Sequence, residues 1–119
     1  MDVRYPEAGM PINKDMVLVM KIHELLVGEF GARPISLKYV IDSQRTSGFD
    51  GHYEAEYELK SGQTLKFMCK LVKTDMIFRV IMGMNQLSYA LDLNKLVDDN
   101  LMPVSILDIR ELLDKWMKA

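Results

Sequence analysis

The chain has 119 residues, 49% of them hydrophobic and 27% charged, the balance of one soluble globular domain able to bury a core without metal or disulfide. Its 15 Lys and Arg against 17 Asp and Glu leave a formal net charge of −2, without the cationic field that non-specific nucleic-acid binding or a polybasic membrane contact relies on. Cys69 is the single cysteine beside ten methionines, so no intramolecular disulfide forms and a reducing, cytoplasmic setting is expected.

Residues 1–12, with Pro6, Gly9 and Pro11, predict an extended N-terminal arm ahead of a single α+β domain over 13–119. Asp2, Arg4 and Glu7 interrupt the apolar run a signal peptide would need. The longest strongly apolar run, 16–20, is far short of the roughly 20 residues that span a bilayer. Asn13 is placed to cap a helix with Asp15 in its first turn, running to about Phe30 with Gly31 as its stop and Pro34 blocking continuation. Its apolar positions spread beyond one stripe, so it is expected to be covered on more than one side.

After Pro34 the period becomes two. Ile35, Leu37, Tyr39 and Ile41 alternate with Ser36, Lys38, Val40 and Asp42, which predicts a strand with the first set inward. A polar loop over 43–51 follows, with Gly48, Phe49 and Gly51 in it. Tyr53, Ala55, Tyr57 and Leu59 then alternate with His52, Glu54, Glu56 and Glu58, and Lys60-Ser61-Gly62 suits a three-residue hairpin loop with Gly62 in the left-handed region. That loop sets Tyr57 opposite Leu65, Ala55 opposite Phe67 and Tyr53 opposite Cys69 on the core side, with Glu56 opposite Lys66 on the other. A reversal at 72–75 leads to a strand over 76–82, apolar on both faces apart from Arg79. Residues 87–97 read as a fifth strand or alternatively a helix. A last helix opens at Pro103 or Ser105, with Asp108 in the capping-box position and Ile106, Ile109, Leu112, Leu113 and Trp116 as its buried stripe. The expected fold is α+β: an N-terminal helix, an antiparallel meander of four or five strands and a C-terminal helix, as a two-layer sandwich.

No complete catalytic or ligand-binding motif is present. His23-Glu24 begins like a zincin motif, but Val27 stands where the second histidine is needed, so His23 reads as a hydrogen-bonded residue at the core edge. Cys69 falls on the inward parity and reads as a small buried hydrophobe. His52, Glu54, Glu56 and Glu58 share a strand face at about 6.6 Å spacing, with Lys66 and Lys70 beside them, and read as a solvated Glu/Lys ladder. Neither a metal nor a cofactor is therefore expected, and the reading favours a non-enzymatic protein. In outline, a helix, a meander and a second helix resemble the double-stranded-RNA-binding domain; the last helix, opening near Ser105-Ile-Leu-Asp108, lacks that domain's basic cluster, and the likeness ends at topology.

Surplus apolar surface is the remaining signal. Val40, Met68, Ile77 and Ile81, with Arg79 among them, fall on the predicted outer side of the sheet. They point to a cytoplasmic binding or adaptor protein that meets a protein partner, or a second copy as a homodimer, through that side. Two alternatives compete: a small-molecule or enzymatic pocket lined by Tyr39, Tyr53, Tyr57 and Tyr89, and nucleic-acid binding through Lys38, Arg45, Lys66, Lys70 and Arg79. The latter is disfavoured because Glu54, Glu56 and Glu58 share the surface.

Overall fold

A computed structural model of the chain describes residues 2–4, 14–41, 51–103 and 106–118. In chain order the elements are β1 (Asp2–Arg4), α1 (Lys14–Gly28), β2 (Arg33–Ile41), β3 (Gly51–Glu58), β4 (Thr64–Val72), β5 (Asp75–Met82), β6 (Asn85–Asp92), a 3-10 turn (Leu93–Lys95) and α2 (Ile106–Lys118). The sheet order is β1-β2-β3-β4-β5-β6, with every neighbouring pair antiparallel. Each strand pairs with its successor, so the meander expected with four or five strands is present between the two helices with five. A sixth, three-residue strand lies at its edge, inside the stretch expected as an extended arm, with Val3 opposite Val40.

The connections explain the register. Between β3 and β4, Leu59 N–H donates to the Gln63 carbonyl at 2.9 Å and Gly62 takes φ +88, the left-handed residue the sequence places there. Tyr57 consequently faces Leu65, Ala55 faces Phe67, Tyr53 faces Cys69 and Glu56 faces Lys66, as expected. The β4–β5 and β5–β6 connections are two residues long, closing on Val72 opposite Asp75 and Met82 opposite Asn85. Each opens with a residue at positive φ, Lys73 at 59 and Gly83 at 59. Residues 85–92 are strand rather than helix, and the 3-10 turn follows, with Asp92 accepting from Asn94 N–H at 3.0 Å.

Both helices lie on one side of the sheet. Leu18, Ile22 and Leu26 of α1 and Ile109, Leu113 and Trp116 of α2 are fully buried against Tyr57, Leu65, Phe67, Phe78 and their neighbours. The Trp116 ring lies 5.3 Å from Phe67 and 5.7 Å from Phe78, and its indole N–H donates to the Tyr89 hydroxyl. Arg110 of α2 pairs with Glu29 just beyond α1. Helix α1 stops two residues sooner than expected, where Phe30 N–H reaches the Leu25 carbonyl and Gly31 turns the chain at φ +64.

Two expectations are corrected here. Alternation places Ile35 on the inner side with Leu37, yet it is 46% exposed, because the register slips between Pro34 and Ser36. Pro34 has no N–H to donate, and the bulge that follows leaves Ile35 outside the alternation. The wide apolar surface of α1 is also only partly covered, since Met20 and Val27 remain more than a third exposed. Of the loop expected over 43–51, Gly51 is instead the first residue of β3, while residues 43–50 with Phe49, the caps at Asn13 and Ser105, and Arg45 lie outside the described residues, as does the side chain of Ile106.

Candidate binding face

Because α1 and α2 occupy one side of the sheet, the side chains of opposite parity form a second face with no helix over it among the described residues. Strand pairing arranges it in three rows. One runs Ser36, Glu56, Lys66, Ile81 and Gln86, and the next runs Lys38, Glu54, Met68, Arg79 and Ser88. The third includes Val40 opposite His52, and Lys70 opposite Ile77 with Ala90 beyond it. A shallow depression of about 190 Å³ lies over the first two rows, lined by Lys38, Glu54, Lys66, Met68, Arg79 and Ile81 among others.

Four of the five predicted contact residues are brought together there. Met68 and Ile81 are half-buried, Arg79 is exposed and Ile77 is 41% exposed. Val40 is corrected: it stands on this side of β2 but is only 1% exposed and lies outside the main core cluster. The chain itself closes over it, with β1 completing the edge at Val3 and His52 flanking it on β3, so it offers no contact surface.

The carboxylates of β3 are each held by a local partner. Glu54 accepts from His52 at 2.9 Å, Glu56 lies 3.7 Å from Lys66 and Glu58 accepts from Arg33 Nε–H at 3.1 Å. They do not converge on a common point. Among the described residues no group of three or more His, Cys, Asp and Glu side chains is arranged to hold a metal ion.

The other singled-out residues face the core side. His23 Nδ1 lies 2.6 Å from the Tyr57 hydroxyl. Burial lowers the His23 pKa and raises that of Tyr57, which favours a neutral imidazole accepting the phenol's proton in the hydrogen bond. This is the core-edge histidine the sequence predicts. Cys69 is 1% exposed, and burial, reinforced by the charge of Asp15, pushes its thiol pKa up, opposite to the shift a nucleophilic cysteine needs. Tyr53 and Tyr57 are buried in the core, and Tyr39 and Tyr89 are half-buried against it: Tyr39 meets Tyr53 edge-on at 4.9 Å, Tyr57 stacks on Phe67 at 6.3 Å and Tyr89 on Phe78 at 5.6 Å.

One feature went unforeseen. Asp15, expected only as a favourable charge near the start of α1, is half-buried, and its Oδ1 has no hydrogen-bond partner. Desolvation raises its pKa against the backbone hydrogen bonds that lower it. Its signal in the sequence is indistinguishable from that of a solvated first-turn carboxylate.

No helix is long and apolar enough to cross a membrane among the described residues. In comparisons with known proteins, no family model matches the chain, and neither the curated proteins nor the solved structures yield a match.

Proposed function

We propose that the chain is a cytoplasmic protein-binding or adaptor domain that works through the outer face of its sheet. The observation that carries this reading is an asymmetry: the inner face is sealed by two helices, whereas Met68, Ile77 and Ile81 stand together on a face with no helix over it among the described residues. A sheet about 5 strands wide and 8 residues long spans roughly 24 by 26 Å. This is the scale of the approximately 800 Å² that each partner contributes to a standard interface. Three apolar side chains ringed by Lys, Glu and Ser follow the pattern of an apolar centre with a polar rim. The cytoplasmic assignment rests on the single buried cysteine and the abundance of methionine.

The test compares the wild-type chain with Ile77→Glu. Partners retained on the immobilised wild type, and any dimer seen by size exclusion with light scattering, should be lost from the variant. Ile77→Thr, which keeps strand propensity, serves as the folded control and should weaken binding less. Identical partners and identical association for Ile77→Glu and wild type would sink the reading.

A further inference from the structure

Arg79 is a cation set among apolar side chains. On its own strand the same-face neighbours are Ile77 and Ile81, and across the sheet it faces Met68 on β4 and Ser88 on β6. Among the described residues it makes no hydrogen bond or ion pair, whereas Lys66 meets Glu56, Arg33 meets Glu58 and Arg110 meets Glu29. Glu54, the carboxylate in its row, lies beyond Met68 and is engaged by His52. Charges of both signs stand on the face, but Glu54, Glu56 and Glu58 are engaged by His52, Lys66 and Arg33 rather than by Arg79.

We propose that Arg79 receives a carboxylate from the partner, and that the partner of this face is a protein segment presenting an Asp or Glu flanked by apolar side chains. The inference rests on the reading of the outer face as a protein-binding surface and adds the chemistry of what binds. A guanidinium offers two parallel N–H donors to one carboxylate. Once the partner's apolar groups cover Met68, Ile77 and Ile81, water is excluded from that pair, as around the central residues of interfaces. Covering Arg79 without supplying an acid would strand a desolvated charge, so the face selects against purely apolar and basic segments. A second copy is a poorer occupant, because Glu54, Glu56 and Glu58, the carboxylates that its own β3 would bring, are already engaged by His52, Lys66 and Arg33.

The test selects 12-residue peptides from a randomised display library on the immobilised chain and measures the binders by fluorescence anisotropy. Selected peptides should carry Asp or Glu between apolar residues. Arg79→Ala, checked for an unchanged melting temperature, should weaken them about 30-fold or more, and Arg79→Lys should restore only part. Replacing the peptide acid by its amide should cost a similar factor against the wild type and almost nothing against Arg79→Ala. Peptides that need Ile77 but neither an acid nor Arg79 would overturn the carboxylate inference and leave the binding face standing. Peptides indifferent to Ile77→Glu would overturn both. Arg79-dependent retention of a 20-nucleotide RNA, lost steeply with salt, or an Ile77-dependent dimer in light scattering would replace the acidic segment with those occupants.

Discussion

The two faces of one sheet are built from the same strands and treated oppositely. Tyr53, Ala55 and Tyr57, then Leu65, Phe67 and Cys69, then Met76, Phe78, Val80 and Met82 point inward, and none is more than 4% exposed. The residues between them are Glu, Lys, Met, Arg and Ile, half-buried or exposed. Removing apolar area from water scales with the area removed, so the inner parity carries the folding free energy and the outer parity is left to answer other demands. A face that stability does not require is one whose composition a binding role can set.

The largest test of this contrast is at the junction of both layers. Trp116→Ala removes a fully buried ring from Phe67 and Phe78 and leaves the Tyr89 hydroxyl without its donor. A loss of about 3–5 kcal/mol is expected in urea unfolding, followed by circular dichroism because Trp116 is the only tryptophan. Trp116→Phe should recover most of the packing and retain about 1 kcal/mol of loss from the unpaired hydroxyl. A cost below about 1 kcal/mol for Trp116→Ala would break the claim that the inner layer holds the fold.

A smaller effect is expected where α1 hands over to the sheet. Gly31 sits at φ +64, and an added Cβ would meet Lys60 Cε at 2.1 Å. The lysine end is flexible and can swing away, so backbone strain sets the cost of Gly31→Ala at about 1–2 kcal/mol. Placing the same substitution in a Lys60→Ala background separates the two causes. Strain predicts that most of the loss persists there.

How far these features were legible beforehand depends on whether local rules decided them. The β3–β4 register followed from strict alternation and one turn glycine, and the parity of β5 from its continuity with β4. Ile35 was misplaced because a bulge after Pro34 is a ladder defect, which alternation by itself does not signal. The burial of Val40 depends on what the chain lays over β2, a tertiary relation without local code. Arg79 was visible as a lone charge in an apolar strand, but its isolation from the described carboxylates emerged only when the rows were assembled. Asp15 belongs to the same class, since its burial is decided by the sheet beneath it.

Asp15 supplies a pH-dependent way to sharpen the contrast. Its folded-state pKa is raised by desolvation above the ordinary 3.8, so the folded chain binds the proton more tightly than the unfolded one. The stabilisation is complete below pH 3.8 and is lost as pH rises through the elevated value. At neutral pH Asp15→Asn, which keeps an acceptor for the first-turn N–H groups, should therefore raise the unfolding midpoint. The gain should shrink on acidification and vanish below pH 3.8. His23 carries the opposite sign: its pKa is lowered, so its contribution is present above pH 6.5 and declines as pH falls through the depressed value. A pH-independent Asp15→Asn effect would mean that the orphaned oxygen costs nothing in the ionised form.

The smallest expected change is the one on which the contrast turns. Ile77→Thr keeps a β-branched side chain on β5, and 41% exposure means that the side chain already meets solvent over much of its surface. Thr differs from Ile mainly by apolar area that the fold has only half used, so thermal and urea unfolding should register a loss of no more than about 0.5–1 kcal/mol. The cost grows beyond that only if this side chain is enclosed by the rest of the chain, as Val40 is. A loss of 2 kcal/mol or more, on the order of a core truncation, would place Ile77 in a second core and remove the open face on which a partner is expected to dock. A near-neutral result combined with weakened binding would separate the two parities of β5 by role, the even-numbered side chains holding the fold and the odd-numbered ones meeting the partner.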